Sequence, residues 1–498
     1  MKTKLVIALL FLVIMLFCVS SLLSISSYRV PIWDESVYLS MGKFIYSDGH
    51  LGLWEPLRPV GLPLLLGILW LFKADYLWLS QAFMVFLSAL LVLFTYLLAK
   101  KVTQREGIAL AAAILLAATP VFFSNSARVM TEVPSVLLAL IALCLFADKM
   151  YAAGGALAAA AFLTKFPQGL ILGAMLLFVF WKTIKSRKWS VLGKGMVVCL
   201  AFLFVCLPYL VFNYLSFSSI MQSPARAALW PFITAAPHQF NPVEMVIQKG
   251  NIGSYVYNLF FYIVNGLKTN LLLIFSIIGI WAFARQDKAA ASSDDKPGLV
   301  LVMLPLLLIF AYMTYIPNKQ VRFLILMLPY LCILSAAGLL YVFDRIREKK
   351  IAKYFFIALV LLSFGFCLFQ NVMISSQQRN VVKAPEIEAL YGFFKERGIS
   401  GKLLVADPVF GAYNDYSLVP FYFSPKEGLS IIEDWQKVRG YSAIVYSRQS
   451  YYCADDDEQC ISALDQIESR IAEGNALVMN STFYQGRRYL IYVPKITG

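Results

Sequence analysis

Long runs of apolar residues, each roughly 15–23 residues, recur along this chain. Each is about as long as a helix must be to cross the ~30 Å hydrocarbon layer of a bilayer. The first covers residues 4–26. Ten more lie near 76–99, 106–123, 133–147, 151–165, 167–181, 196–214, 269–284, 299–316, 323–343 and 354–371. The chain has 498 residues, 60% of them hydrophobic and 14% charged, whereas a soluble domain carries about a quarter charged residues. The sequence therefore predicts an α-helical polytopic membrane protein of about 11 transmembrane helices. The first block follows Lys2 and Lys4, is longer than a signal-peptide core and lacks a small-residue cleavage site, so it reads as an uncleaved anchor.

Charge orients these helices. The formal net charge is +14, but most Lys and Arg stand at the ends of apolar blocks, leaving no basic domain for a nucleic-acid partner. One set of joints carries Lys100, Lys101 and Arg105, then Lys149, then Lys182 to Lys194, then Arg285 to Lys296, and finally Arg345 to Lys353. The positive-inside rule makes that side cytoplasmic. The N-terminus is then inside and the C-terminus outside, in the cytoplasmic (plasma) membrane. Gly61 to Phe72 is apolar but too short to span, so residues 27–75 form one long outer loop whose helices lie along the membrane surface. A second long outer loop covers 215–268, with a short one at 124–132.

The domain division follows: a transmembrane domain over 1–371 and a soluble extracytoplasmic α/β domain over 372–498. In the tail, β-like runs (402–406, 442–446 and 488–493) alternate with helical patterns near 385–397 and 455–473. No Walker-type loop or Gly-x-Gly-x-x-Gly fingerprint occurs, which disfavours an ATP-driven pump or a nucleotide-sugar enzyme. Cys453 and Cys460 flank an acidic run and form a disulfide candidate in an oxidising compartment; the other six cysteines sit in apolar blocks. His50 and His238 are too few for a zinc cluster.

Several polar residues on the outer face are candidates for chemistry. Asp34 and Glu35, a few residues past the first helix, begin an amphipathic helix in the bland reading. In the functional reading Asp34 is a general base that takes a proton from an acceptor hydroxyl or amine. Glu132, with Arg128 one turn before it, stands at the threshold of a spanning helix. Such groups are costly there and tend to be paired or functional. Thr131 also reads as an N-cap with Glu132 and Pro134 in the first turn. Arg58, Lys165 and Arg322 break the positive-inside trend, and outer cations of this kind can hold a lipid phosphate. The aromatic residues between 209 and 262 read as an interfacial belt, or as a stacking surface for a sugar or prenyl chain. Asp455–Asp457 reads as a solvated helix start.

The chain resembles the GT-C membrane glycosyltransferases, particularly bacterial and archaeal relatives of protein O-mannosyltransferases and aminoarabinose–lipid A transferases. The resemblance rests on Trp33-Asp34-Glu35, Arg58-Pro59-x-Gly61-x-Pro63, Ala127-Arg128-x-x-x-Glu132-x-Pro134, Leu163-Thr164-Lys165-x-Pro167 and Arg322, within about residues 1–345. It implies an inverting transferase that moves a sugar from a polyprenyl- or dolichyl-phosphate donor to a protein, lipid or glycan acceptor. It also implies Asp34 as base, Glu132 as a second acidic residue positioning the acceptor or, in some members, a divalent metal, and Lys165, Arg58 and Arg322 on the carrier phosphate. Leu57-Arg58-Pro59-Val60 replaces the Lys-Pro-Pro run usual in the aminoarabinose enzymes, which argues against lipid A as acceptor. The competing reading is a transporter or lipid flippase for a glycolipid. It lacks the internal repeats and broken midplane helices common in such folds.

Overall fold

A computed structural model of the chain describes residues 3–25, 31–218, 220, 252–289, 298–316, 319–380, 385–422, 424–438, 440–451, 453, 457–483 and 487–495. Two compact units emerge. One comprises Met1–Ile25, Gln81–Ala228 and Val246–Asn380; the other comprises Ser26–Ser80, Leu229–Met245 and Val381–Gly498.

The first unit is a helical bundle, and all eleven predicted blocks are helical. Among the described residues, six helices are long and apolar enough to cross a membrane: Thr3–Ser24, Tyr76–Thr103, Phe166–Ser186, Trp189–Ser216, Leu328–Ile346 and Lys350–Gln377. Glu106–Ala118, Glu132–Ala147, Tyr151–Thr164, Leu271–Arg285 and Val300–Tyr315 are shorter apolar helices. Local sequence explains some of the shortness. Pro120 disfavours the helical region for Thr119, which sits at ψ 120° and divides Glu106–Ala118 from Pro120–Asn125.

Within hydrocarbon, helices associate through close packing rather than water exclusion, so small residues mark their contacts. Helices Phe275–Ala289 and Leu328–Ile346 meet at Gly279 and Gly338. A methyl group on Gly338 would collide with the carbonyl oxygen of Phe275, and one on Gly279 with that of Leu334. Backbone would have to move, so Gly338→Val is expected to exceed the about 1–3 kcal/mol of ordinary overpacking. The check is a large drop in unfolding temperature in detergent, and an unchanged value refutes the contact.

The second unit is built on a five-stranded sheet of order β2-β1-β3-β5-β4. The strands are β1 (Lys402–Val405), β2 (Ser417–Pro420), β3 (Ala443–Tyr446), β4 (Asn475–Phe483) and β5 (Arg487–Pro494). β1 pairs in parallel with β2 and β3, while β5 runs antiparallel to β3 and β4. Side chains alternate between the two faces, as the strand period of two demands. Leu404, Ile444 and Tyr446 pack against Ile432, Leu464 and Ile467 from helices Pro425–Val438 and Glu458–Gly474.

On the opposite face, Leu403, Val405, Ala443 and Val445 pack against Leu390 and Phe394, and also against Val37, Met41 and Leu53. Those last three come from the segment expected to lie along the membrane surface. Helix Trp33–Tyr46 buries Val37 and Met41 in the core of the sheet unit, because an apolar sheet face must be covered. The fit is sealed by Lys43, 1% exposed, whose ammonium donates to the Asn414 carbonyl at 2.9 Å and pairs with Asp415 at 3.1 Å. Burial pulls its pKa down, and Asp415 opposes that.

Cys453 and Cys460 are joined in a disulfide. Asp457 caps helix Glu458–Gly474 by accepting from the Cys460 amide at 3.0 Å, whereas Asp455 and Asp456 lie outside the described residues.

Candidate active site

The residues singled out from sequence fall into two clusters, one in each unit. In the helical unit, three breaks in regular helix bring charge together. Glu132 is the first residue of Glu132–Ala147. Lys165 is extended (φ −154°, ψ 114°) at the joint between Tyr151–Thr164 and the single 3-10 turn Phe166–Gly169, which opens with Pro167 in its first turn. Arg322 lies in the 3-10 segment Val321–Leu326, just before Leu328–Ile346.

At these joints the side chains converge. Glu132 Oε1 accepts from Lys165 Nζ at 3.1 Å and pairs with Arg322 Nε at 3.5 Å. The Phe323 ring packs beneath both cations, 4.9 Å from the ammonium and 5.6 Å from the guanidinium. Thr131 occupies the N-cap position without capping the helix; its hydroxyl accepts from Lys165 at 3.3 Å instead. Glu132 is only 2% exposed, and a buried carboxylate of this kind is tolerable only when paired. Two cations thus converge on one buried carboxylate. Oε2 of Glu132 is buried and finds no hydrogen-bond partner among the described residues.

Two cations on one carboxylate oxygen repel a divalent metal, so Glu132 does not fit the metal-positioning role that the resemblance allows. Among the described residues, no three His, Cys, Asp or Glu side chains gather as metal ligands. Arg128 lies in the turn before Glu132, its amide donating to the Asn125 carbonyl at 3.2 Å.

The second cluster lies in the sheet unit. Asp34 and Glu35 occupy the first turn of helix Trp33–Tyr46. Glu35, 1% exposed, accepts from the Ile32 amide at 2.8 Å through Oε2 and so closes the turn. Asp34 Oδ1 pairs with Arg58 Nη2 at 2.7 Å, and Arg58 Nε donates to Glu55 Oε1 at 2.9 Å. The guanidinium also lies 5.7 Å from the Tyr38 ring centroid. Burial would lower the Arg58 pKa, yet Asp34 and Glu55 hold it well above its ordinary value. Two carboxylates thus share the Arg58 guanidinium. Arg58, expected on a phosphate, thus holds Asp34 and Glu55. Glu55 escaped sequence reasoning, since a single carboxylate in an irregular loop carries no periodic signal.

The predicted aromatic belt divides. Tyr209 and Tyr262 are buried, while Tyr214, Tyr257 and Phe260 are exposed; Trp230, Phe232 and Phe240 lie outside the described residues, as does His238.

Comparison with known proteins places this architecture. The family model described as dolichyl-phosphate-mannose-protein mannosyltransferase matches residues 58–212. ArnT from Cupriavidus metallidurans, solved bound to undecaprenyl phosphate, superposes with a TM-score of 0.64 at 12% identity, covering 100% of this chain and 99% of that one. This is the GT-C glycosyltransferase fold. ArnT in the apo state superposes equally well, at 0.64 and 12% identity over 97% of each chain. The arabinofuranosyltransferase AftD from Mycobacteria gives 0.50 at 11% identity over 98% of this chain and 40% of that one. No curated protein sequence matches the chain significantly. The family match covers about a third of the chain, and the superpositions extend the likeness, as a fold, over its whole length. The transporter or flippase alternative finds support in neither comparison.

Proposed function

We propose that this GT-C protein moves a hexosyl or pentosyl group, with inversion, from a polyprenyl-phosphate donor to a protein, lipid or glycan acceptor on the outer face of the plasma membrane. The N-terminus lies inside and the sheet unit outside, as the basic joints require. The observation that carries the reading is the convergence of Lys165 and Arg322 on the buried Glu132.

Departure of a lipid phosphate builds negative charge on its oxygens as the glycosidic bond breaks, and preorganised cations stabilise that charge where water is excluded. Lys165 and Arg322 supply the cations, with Arg128 as a further donor at the approach. Glu132 keeps the two like charges together until the phosphate arrives. Asp34, oriented by Arg58, takes the proton from the attacking acceptor group, and Glu35 fixes the helical turn that presents it.

Purified protein incubated with radiolabelled polyprenyl-phosphate hexoses and pentoses is expected to transfer or release one of them. Inertness toward the whole panel, in protein that still binds undecaprenyl phosphate, would overturn the sugar-transfer reading.

A further inference from the structure

We infer that the C-terminal α/β domain is a positioning element for the proposed base, and that Tyr422 is the residue through which it acts. The inference rests on the assignment of Asp34 as base. Tyr422 stands two residues beyond β2 and is 7% exposed. Its hydroxyl donates to Glu55 Oε2 at 3.2 Å. The other oxygen of Glu55 accepts from Arg58 at 2.9 Å, and Arg58 reaches Asp34 at 2.7 Å. A continuous line of hydrogen bonds and ion pairs thus runs from the tail to the base. Tyr422 touches the same helical turn a second time: the Trp33 ring meets its ring edge-on, with centroids 4.7 Å apart.

The place of Tyr422 in the sheet strengthens the argument. The parallel strands run in the order β2-β1-β3, so the connections leaving β1 and β3 diverge and the reversal lies between those two strands. In open parallel sheets, the crevice beyond the carboxyl ends of the strands at such a reversal is where ligands bind. Here Tyr422 follows β2, and Asp407, fully buried, follows β1. Asp407 accepts from Tyr489 at 2.7 Å and from the Val409 amide at 2.9 Å. Glu55 is held by Tyr422 beyond β2, the edge strand beside that reversal. Burial, then Glu55, raises the Tyr422 pKa well above its ordinary value, so it stays a donor at working pH.

The test is kinetic, using whichever polyprenyl-phosphate sugar the protein turns over. Tyr422→Phe keeps the ring and removes the hydroxyl. It is expected to lower kcat about tenfold while donor KM and unfolding temperature hold. Tyr441→Phe removes another buried hydroxyl of the same domain, one bonded to Asn475 at 2.8 Å, and should keep wild-type kcat. Because the line acts in series, Glu55→Gln and Tyr422→Phe should combine to less than the sum of their separate effects. Glu55→Asp, which shortens the same link, should reproduce the kcat loss if Tyr422→Phe proves unstable. Wild-type kcat in Tyr422→Phe, or full additivity with Glu55→Gln, overturns the inference while leaving Asp34 as base. Full turnover in Asp34→Asn brings down both.

Discussion

Replacing Asp34 by Asn is expected to lower kcat by about 10²–10⁴, the range supplied by a positioned general base, while leaving a folded, membrane-inserted protein. Asn keeps an oxygen for the Arg58 guanidinium, which now bonds Asp34 at 2.7 Å, so the helical turn should hold. What it loses is the capacity to accept the acceptor's proton. Since that proton moves only in the transition state, kcat and kcat/KM should fall together with little change in donor KM. Wild-type turnover in this variant removes Asp34 from the mechanism. A rise in KM alone would instead make it a binding residue.

The second large effect is expected at Lys165. Lys165→Met removes one of the two cations on Glu132, and loss of a preorganised charge at a developing oxyanion costs about 10²–10³ in kcat. A purely structural ion pair gives a different signature, so the variant should be read beside Glu132→Gln and the double variant. Breaking a buried pair from one side typically costs about 3–5 kcal/mol, because a charge is left uncompensated. Glu132→Gln leaves Lys165 and Arg322 without their shared anion, and its unfolding temperature should drop. The double variant carries a single cation and should regain most of that stability. If the cluster holds the leaving phosphate, activity stays lost when stability returns. Recovery of both together would make the cluster a structural staple and no more.

Much of the helical unit was legible because hydrocarbon thickness imposes a length on every span, and length survives in sequence without partners. Lys165 and Arg322 were legible for a related reason: cations expected on the outer side violate the orientation rule. Their shared partner Glu132 was visible as an ionisable group at a helix threshold, although only coordinates give the 3.1 Å and 3.5 Å contacts.

The sheet unit was read less completely. β1, β3 and β5 showed as apolar runs, but β2 is four residues ending in a proline, and β4 begins directly after a helix. Neither has the flanking turn signals that mark a strand. The packing of helix Trp33–Tyr46 on the sheet was not legible, because its apolar residues are covered by strands more than 350 residues away. Such pairing leaves no local trace. The same distance hid Tyr422, whose partner Glu55 is 367 positions away.

That separation also sets a timetable for biogenesis. The ribosome delivers residues 31–80 early, yet the strands that cover Val37, Met41 and Leu53 emerge some 400 positions later, on the order of 20–80 s at ordinary translation speeds. Until then those side chains have no core to enter, and the Asp34 turn has no scaffold. A nascent chain is thus catalytically silent until β5, an interior strand of the sheet, has been made, and a prematurely terminated one offers quality control an exposed apolar helix.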